Sequence, residues 1–137
     1  MHGDTRDPTV AVFGGRIAKG LAIRLSSAWD VRLVSDDQAV VERSRSEPYE
    51  ARHVDFRRAD LSTHVGTVDA AVVAVDRDRV GLLVTQKLAV TEEVDPLLVR
   101  LNDPEYEAAF SDLDCEVLDV GAVLQETVET SLGRASV

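Results

Sequence analysis

Two kinds of hydrophobic spacing alternate along the chain. Short apolar-rich runs fall at 10–13 (VAVF), 31–34 (VRLV), 51–55 (ARHVD), 70–75 (AAVVAV), 96–100 (PLLVR) and 115–118 (CEVL). The stretches 16–28, 37–46, 57–64, 78–90, 104–111 and 120–131 instead space their apolar residues along one helical face, with 78–90 mostly apolar. The first pattern is that of strands and the second that of helices, so six of each are expected. VAVF and AAVVAV are continuous rather than alternating, as strands covered by helices on both faces require. Strand and helix taking turns without a hairpin signal predict an α/β protein with a doubly wound parallel six-stranded sheet, a Rossmann fold in a single domain.

Local signals agree with these boundaries. Asp36 or Asp37 can cap the second helix, and Asp103-Pro104 opens the fifth. Residues 1–8 are polar and contain Gly3 and Pro8, so they are expected to be a disordered lead-in to a domain over 9–132, with 133–137 as a tail and no second domain following. A chain of 137 residues can bury a core without disulfide or metal support.

Charge narrows the classes of partner. The net charge is −10, from 25 acidic and 15 basic residues, and only Lys19 and Lys87 among the basic ones are lysine. Such a field repels nucleic acid and anionic lipid, so neither is expected as a partner. An acid-rich, lysine-poor surface suits a concentrated salt cytoplasm, where counterions screen self-repulsion, and a halophilic source is expected. No apolar stretch approaches the ~20 residues of a membrane span, and the N-terminus has no signal-peptide core. The expected location is cytoplasmic, without direct membrane insertion.

The candidate chemistry is sparse outside one turn. Cys115 is the only cysteine, so no internal disulfide or CxxC site exists, and a buried structural thiol is expected. His2, His53 and His64 are scattered without metal-ligand spacing, and no G-x-S-x-G elbow occurs. Catalysis has no visible machinery and no substrate domain, so binding without turnover is expected.

The turn is VAVFGGRIAKGLA (10–22), a strand running through glycines into a helix. Glycines let backbone approach a pyrophosphate, and the helix N-terminus offers unpaired N–H groups. The full G-x-G-x-x-G fingerprint is absent. Aligned without gaps, Phe13 takes the first glycine position, Gly15 the second and Ala18 the third; alternatively Gly14 is the first and the loop is one residue short. Arg16 sits where a guanidinium could clamp a diphosphate. A Rossmann site places a carboxylate about 20 residues further on, at the end of the second strand, to hold the ribose. Ser35 occupies that place with Asp36 beside it, and these residues either meet the ribose or merely cap the helix.

These segments resemble the TrkA N-terminal domain, also called the RCK or KTN domain, a Rossmann module that regulates potassium channels and transporters by binding NAD(H) or adenine nucleotides. GGRIAKGLA (14–22) is similar to the family's G-G-R-V-G-x-x-L-A, AVVAVDRD (71–78) to its fourth strand and turn, and VRLNDPEYEAAFSDLDCEVLDVGAVL (99–124) to its C-terminal half. The resemblance covers about 9–132. It implies a non-catalytic regulatory domain in which Gly14, Gly15 and Arg16, with Ile17, hold the diphosphate, Ser35 and Asp36 the adenosine ribose, Asp55 the adenine region, and Asp76 and Arg100 the far half of the ligand. It also implies a potassium transporter or channel membrane subunit as partner, reached in trans because no C-terminal RCK lobe or pore is present, and a homodimer or higher oligomer. Helix 78–90 or the last helix would supply the dimer surface. Two departures, Phe13 and Ser35, motivate the alternative of a degenerate domain that serves as a dimerisation scaffold; a small NAD(P)-dependent oxidoreductase is the third reading.

Overall fold

The computed structural model describes residues 7–61, 67–90 and 94–135. Six strands form: β1 (Thr9–Phe13), β2 (Asp30–Ser35), β3 (Glu50–His53), β4 (Ala70–Val73), β5 (Leu97–Leu101) and β6 (Glu116–Asp119). They make one parallel sheet in the order β3-β2-β1-β4-β5-β6. The helices are α1 (Arg16–Leu25), α2 (Gln38–Arg43), α3 (Asp78–Ala89), α4 (Glu107–Ser111) and α5 (Val120–Ala135), with a 3-10 turn at Pro104–Tyr106 ahead of α4. β1 lies at the centre, and the chain winds outward from it in both directions, which is the Rossmann topology.

Strand periodicity sorts the core into two layers. Ala11, Phe13, Val73 and Val99 face Val84 and Leu88 of α3 and Phe110 of α4. Val10, Val12, Leu33 and Val72 face Ala18 and Ala22 of α1 and Val40 of α2, with Trp29 half-buried at the edge. β1 and β4 are buried along their whole length, matching their unbroken apolar runs. The apolar content of α3 is core packing: Gly81, Val84, Thr85 and Leu88 are buried.

Several boundaries differ from the pattern. α2 stops at Arg43, because the Ser44 hydroxyl turns back onto the Val40 carbonyl and meets the Tyr49 hydroxyl. The last helix continues past 131 to Ala135. Cys115 is half-buried rather than buried, its thiol donating to the Phe110 carbonyl, and burial together with Asp114 raises its pKa. His2 and His64 lie outside the described residues; among the described ones no His, Cys, Asp or Glu group could hold a metal. Also among the described residues, no helix is long and apolar enough to cross a membrane.

The helix expected at 57–64 is the clearest difference. Residues 56–58 form a turn, helical geometry begins only at Leu61, and 62–66 lie outside the described residues. The Asp55 carboxylate accepts the Arg57 N–H at 3.0 Å, making a local turn. The Lys87 ammonium then donates to the carbonyls of Phe56, Arg57 and Ala59. Those carbonyls are the ones a helix through 57–64 would spend on its own ladder. Replacing Lys87 with Met keeps the apolar stem and leaves all three without their donor, so Lys87→Met is expected to cost ~1–3 kcal/mol. A shift of the urea midpoint reads this directly; an unchanged midpoint would show that solvent replaces the ammonium.

Candidate functional site

The connections after β1 and β4 leave the sheet toward opposite faces, and a crevice opens between them at the strand tips. Its volume is about 390 Å³, at the lower end of the ~300–1,000 Å³ of small-molecule sites. Gly14, Gly15, Arg16 and Ile17 form one wall, Asp36 and Asp37 a second, Asp55, Phe56 and Arg57 a third, and the segment from Ala74 to Arg77 with Val80 the fourth.

The glycine wall is set by backbone geometry. Gly14 has φ +143°, and its N–H donates to the Val34 carbonyl at 3.0 Å. A Cβ on it would lie 2.4 Å from the Ala74 carbonyl oxygen, so only glycine lets the loop pass this close to the tip of β4. Gly15 ends the turn and α1 begins at Arg16, with no side chain capping the helix. The first-turn N–H groups therefore remain available to a ligand anion in the cleft. Ala18 is fully buried beside Gly14. The gapless alignment fits this geometry: Gly15 lines the cleft, Ala18 packs the helix against the turn, and the Phe13 side chain leaves the site. The Phe13 ring is fully buried in the opposite layer, tilted against Phe56 with centroids 6.3 Å apart.

At the tip of β2 the two neighbours Ser35 and Asp36 part company. Ser35 is fully buried and its hydroxyl accepts the Asp37 N–H at 3.1 Å. Asp37 is the cap of α2, accepting the Ala39 N–H at 2.9 Å. The Asp36 side chain is exposed in the cleft wall, and the His53 ring meets its carbonyl at 3.2 Å. Strand alternation is the cause: Ser35 still belongs to β2 and points inward, so the next residue points out. Ser35 is thus not brought to the cleft, and Asp36 is.

Of the other expected site residues, Asp55 and Asp76 are exposed in the cleft walls. Asp55 also faces Arg58 at 3.8 Å, both groups being largely exposed. Arg100 does not line the cleft. It sits on β5, two strands from the glycine turn, on the α1 side of the sheet, and its Nη1 is buried with no partner among the described residues. Asp78, next to the site, is buried and clamps the end of β5, accepting from the Asn102 backbone and side-chain N–H groups and the Asp103 N–H. Phe56 and Arg57 are wall residues that the sequence did not reveal, because 57–64 carries a helical pattern. The lining combines the carboxylates of Asp36, Asp55 and Asp76 with the guanidinium groups of Arg16, Arg57 and Arg77 and the uncapped start of α1, groups able to hydrogen-bond sugar hydroxyls and phosphate.

A Rossmann sheet with an open glycine turn at its switch point defines the class of protein. The chain belongs to the TrkA-N domain family, whose model matches residues 10–118. Its fold is similar to that of the NAD(P)-binding domain of an exopolyphosphatase-related protein from Archaeoglobus fulgidus, with a TM-score of 0.82, 19% identity and coverage of 93% of this chain and 98% of that one. The TrkA-N domain of the inner membrane protein ybaL from Escherichia coli gives a TM-score of 0.74 at 13% identity, covering 91% and 97%. Dipicolinate synthase A chain from Bacillus subtilis gives 0.50 at 17% identity, covering 82% of this chain and 37% of that one. At these identities the likeness concerns the fold alone. A search of the curated proteins finds no match.

Proposed function

We propose that the cleft binds an adenine dinucleotide, NAD(H) before NADP(H), and that the domain is a non-catalytic sensor acting in trans on a potassium transporter or channel subunit. The observation that carries the binding is the uncapped start of α1 behind Gly15, opening on the same cavity as the Asp36 carboxylate. The diphosphate would meet the N–H groups at Gly15, Arg16 and Ile17, and Asp36 would accept the ribose hydroxyls. Asp55 and Asp76 would flank the adenine and the far half. Membership of the TrkA-N family and the likeness to the Archaeoglobus NAD(P)-binding domain support the ligand class. The inner-membrane relative supports a membrane partner. A pair of such domains in the cytoplasm would pass occupancy on as a change in relative orientation, by no more than the ligand's differential affinity for the two arrangements.

The scaffold alternative drew on Phe13 and Ser35, and both side chains turn into the core, so neither fills the cradle. Calorimetric titration with NADH, NAD, NADPH, ATP and ADP in molar KCl tests the proposal. Saturable binding with NADH preferred over NADPH is expected, because the Asp36 carboxylate repels a 2′-phosphate. Asp36→Ser is expected to narrow that preference by about tenfold, ~1.4 kcal/mol. A folded protein that binds none of the five would leave the scaffold reading.

A further inference from the structure

Lys87, in the second half of α3, makes no ion pair among the described residues. An ammonium carries three N–H donors. Each of the three finds a backbone carbonyl of the segment after β3: Phe56 at 2.5 Å, Arg57 at 3.0 Å and Ala59 at 3.1 Å. A side chain that spends its whole donor set on one turn fixes the path of that turn.

The turn is closed from its other side by Asp55. The Asp55 carbonyl accepts the N–H groups of Arg58 and Ala59 at 3.3 and 2.9 Å, and its carboxylate accepts the Arg57 N–H at 3.0 Å and faces Arg58 at 3.8 Å. Such a turn leaves the carbonyls of 56, 57 and 59 without donors of their own, as at a helix C-terminus, where a cation is the favoured partner. Phe56 anchors it inward, its ring buried and tilted against Phe13 at the end of β1.

Arg57 goes the other way. It is exposed and lines the cleft, and its guanidinium makes no hydrogen bond or ion pair among the described residues. Its backbone, by contrast, is pinned at both ends, the N–H by Asp55 and the carbonyl by Lys87. On this wall the Asp55 carboxylate is already engaged by the turn, and Arg57 is the group with donors to spare. β3 lies beyond β2 in the sheet, and the His53 ring meets the Asp36 carbonyl at 3.2 Å, so the wall stands at the Asp36 end of the cleft. A guanidinium offers five donors and a flat face that stacks on a base.

Resting on the reading of the cleft as an adenine-dinucleotide site, we infer that Arg57 is the ligand contact of this wall, its guanidinium laid against the adenine ring, and that Lys87 is the positioning residue that keeps it there. Lys87 acts through the turn alone, since its donors are all taken by backbone. Without the ammonium the turn loosens, and the order that Arg57 needs must be supplied at the moment of binding.

A double-mutant cycle on the full chain, read by calorimetric titration with NADH in molar KCl, tests this. Arg57→Ala removes an exposed side chain and is expected to weaken NADH by about tenfold while leaving the melt unchanged. Lys87→Met is expected to weaken it by about the same factor, and to add less than about twofold in the Arg57→Ala background. A lysine that served the fold alone would cost the same factor in both backgrounds. ADP, which keeps the adenine end and lacks the nicotinamide, is expected to follow NADH through every variant. If Lys87→Met melts below the titration temperature, Lys87→Gln, which retains an amide donor, closes the cycle instead. Parent affinity in Arg57→Ala or in the lysine variant, losses that multiply, or ADP binding that ignores Arg57 would each overturn the inference while leaving the cleft a nucleotide site. A parent protein that binds no nucleotide would overturn the reading of the cleft itself, and this contact with it.

Discussion

Gly15→Asp is expected to leave the protein folded and to weaken nucleotide binding by a hundredfold or more. A Cβ at Gly15 meets nothing within 4 Å, and the residue's φ is negative, at −101°. Asp is also a good cap, so at the start of α1 it should change stability by only a few tenths of a kcal/mol. Its carboxylate would accept the first-turn N–H groups and place negative charge where the diphosphate must sit. Losing those groups and gaining that repulsion corresponds to ~2.7 kcal/mol or more of binding free energy. Calorimetry and a thermal melt on the same sample separate the two effects. Binding at the parent affinity by the folded variant would place the ligand elsewhere.

Its neighbour should fail in the opposite way. Gly14→Ala is expected to destabilise the fold by about 3 kcal/mol or more, from a backbone conformation hostile to L-residues and a clash against backbone. The new methyl would lie 2.4 Å from the Ala74 oxygen, 2.9 Å from its carbon and 3.0 Å from the Ala18 Cβ. Ala74 has little room to yield, because its N–H is bonded to the Phe13 carbonyl at 2.8 Å and Ala18 is fully buried. For a domain of this size the loss amounts to a fall of roughly 10 °C in Tm. A melt within a degree or two of the parent would mean that the loop rearranges, and would remove the reason given for glycine at 14.

That two adjacent glycines serve folding and binding separately is invisible in the letters GG. The sequence does make them the focus, since an apolar run, a glycine pair and a helical pattern in succession are a local signal. Where each glycine faces depends on β4, a strand some sixty residues on, whose tip meets Gly14 and leaves Gly15 open. Ser35 and Asp36 pose the same problem one strand over: which of them faces the cleft depends on where β2 ends relative to its neighbours. The family pattern puts Arg100 at the far half of the ligand, whereas its register on β5, opposite Leu118, holds it on the sheet outside the cleft lining.

The sequence by itself determined the fold class, the place of the six strands and most of the helix starts, because these rest on periodicity, glycine and caps, which are properties of neighbouring residues. It also placed the cleft at the strand tips, since parallel winding puts every loop of that end together. Only the tertiary structure decided that Phe13 and Ser35 turn inward, that Lys87 holds 56–59 in a turn, that Phe56 and Arg57 form a wall, and that the described side chains of α5 are exposed. Each of these turns on a contact, or a missing one, between segments distant in the chain, and no local pattern records how such segments meet.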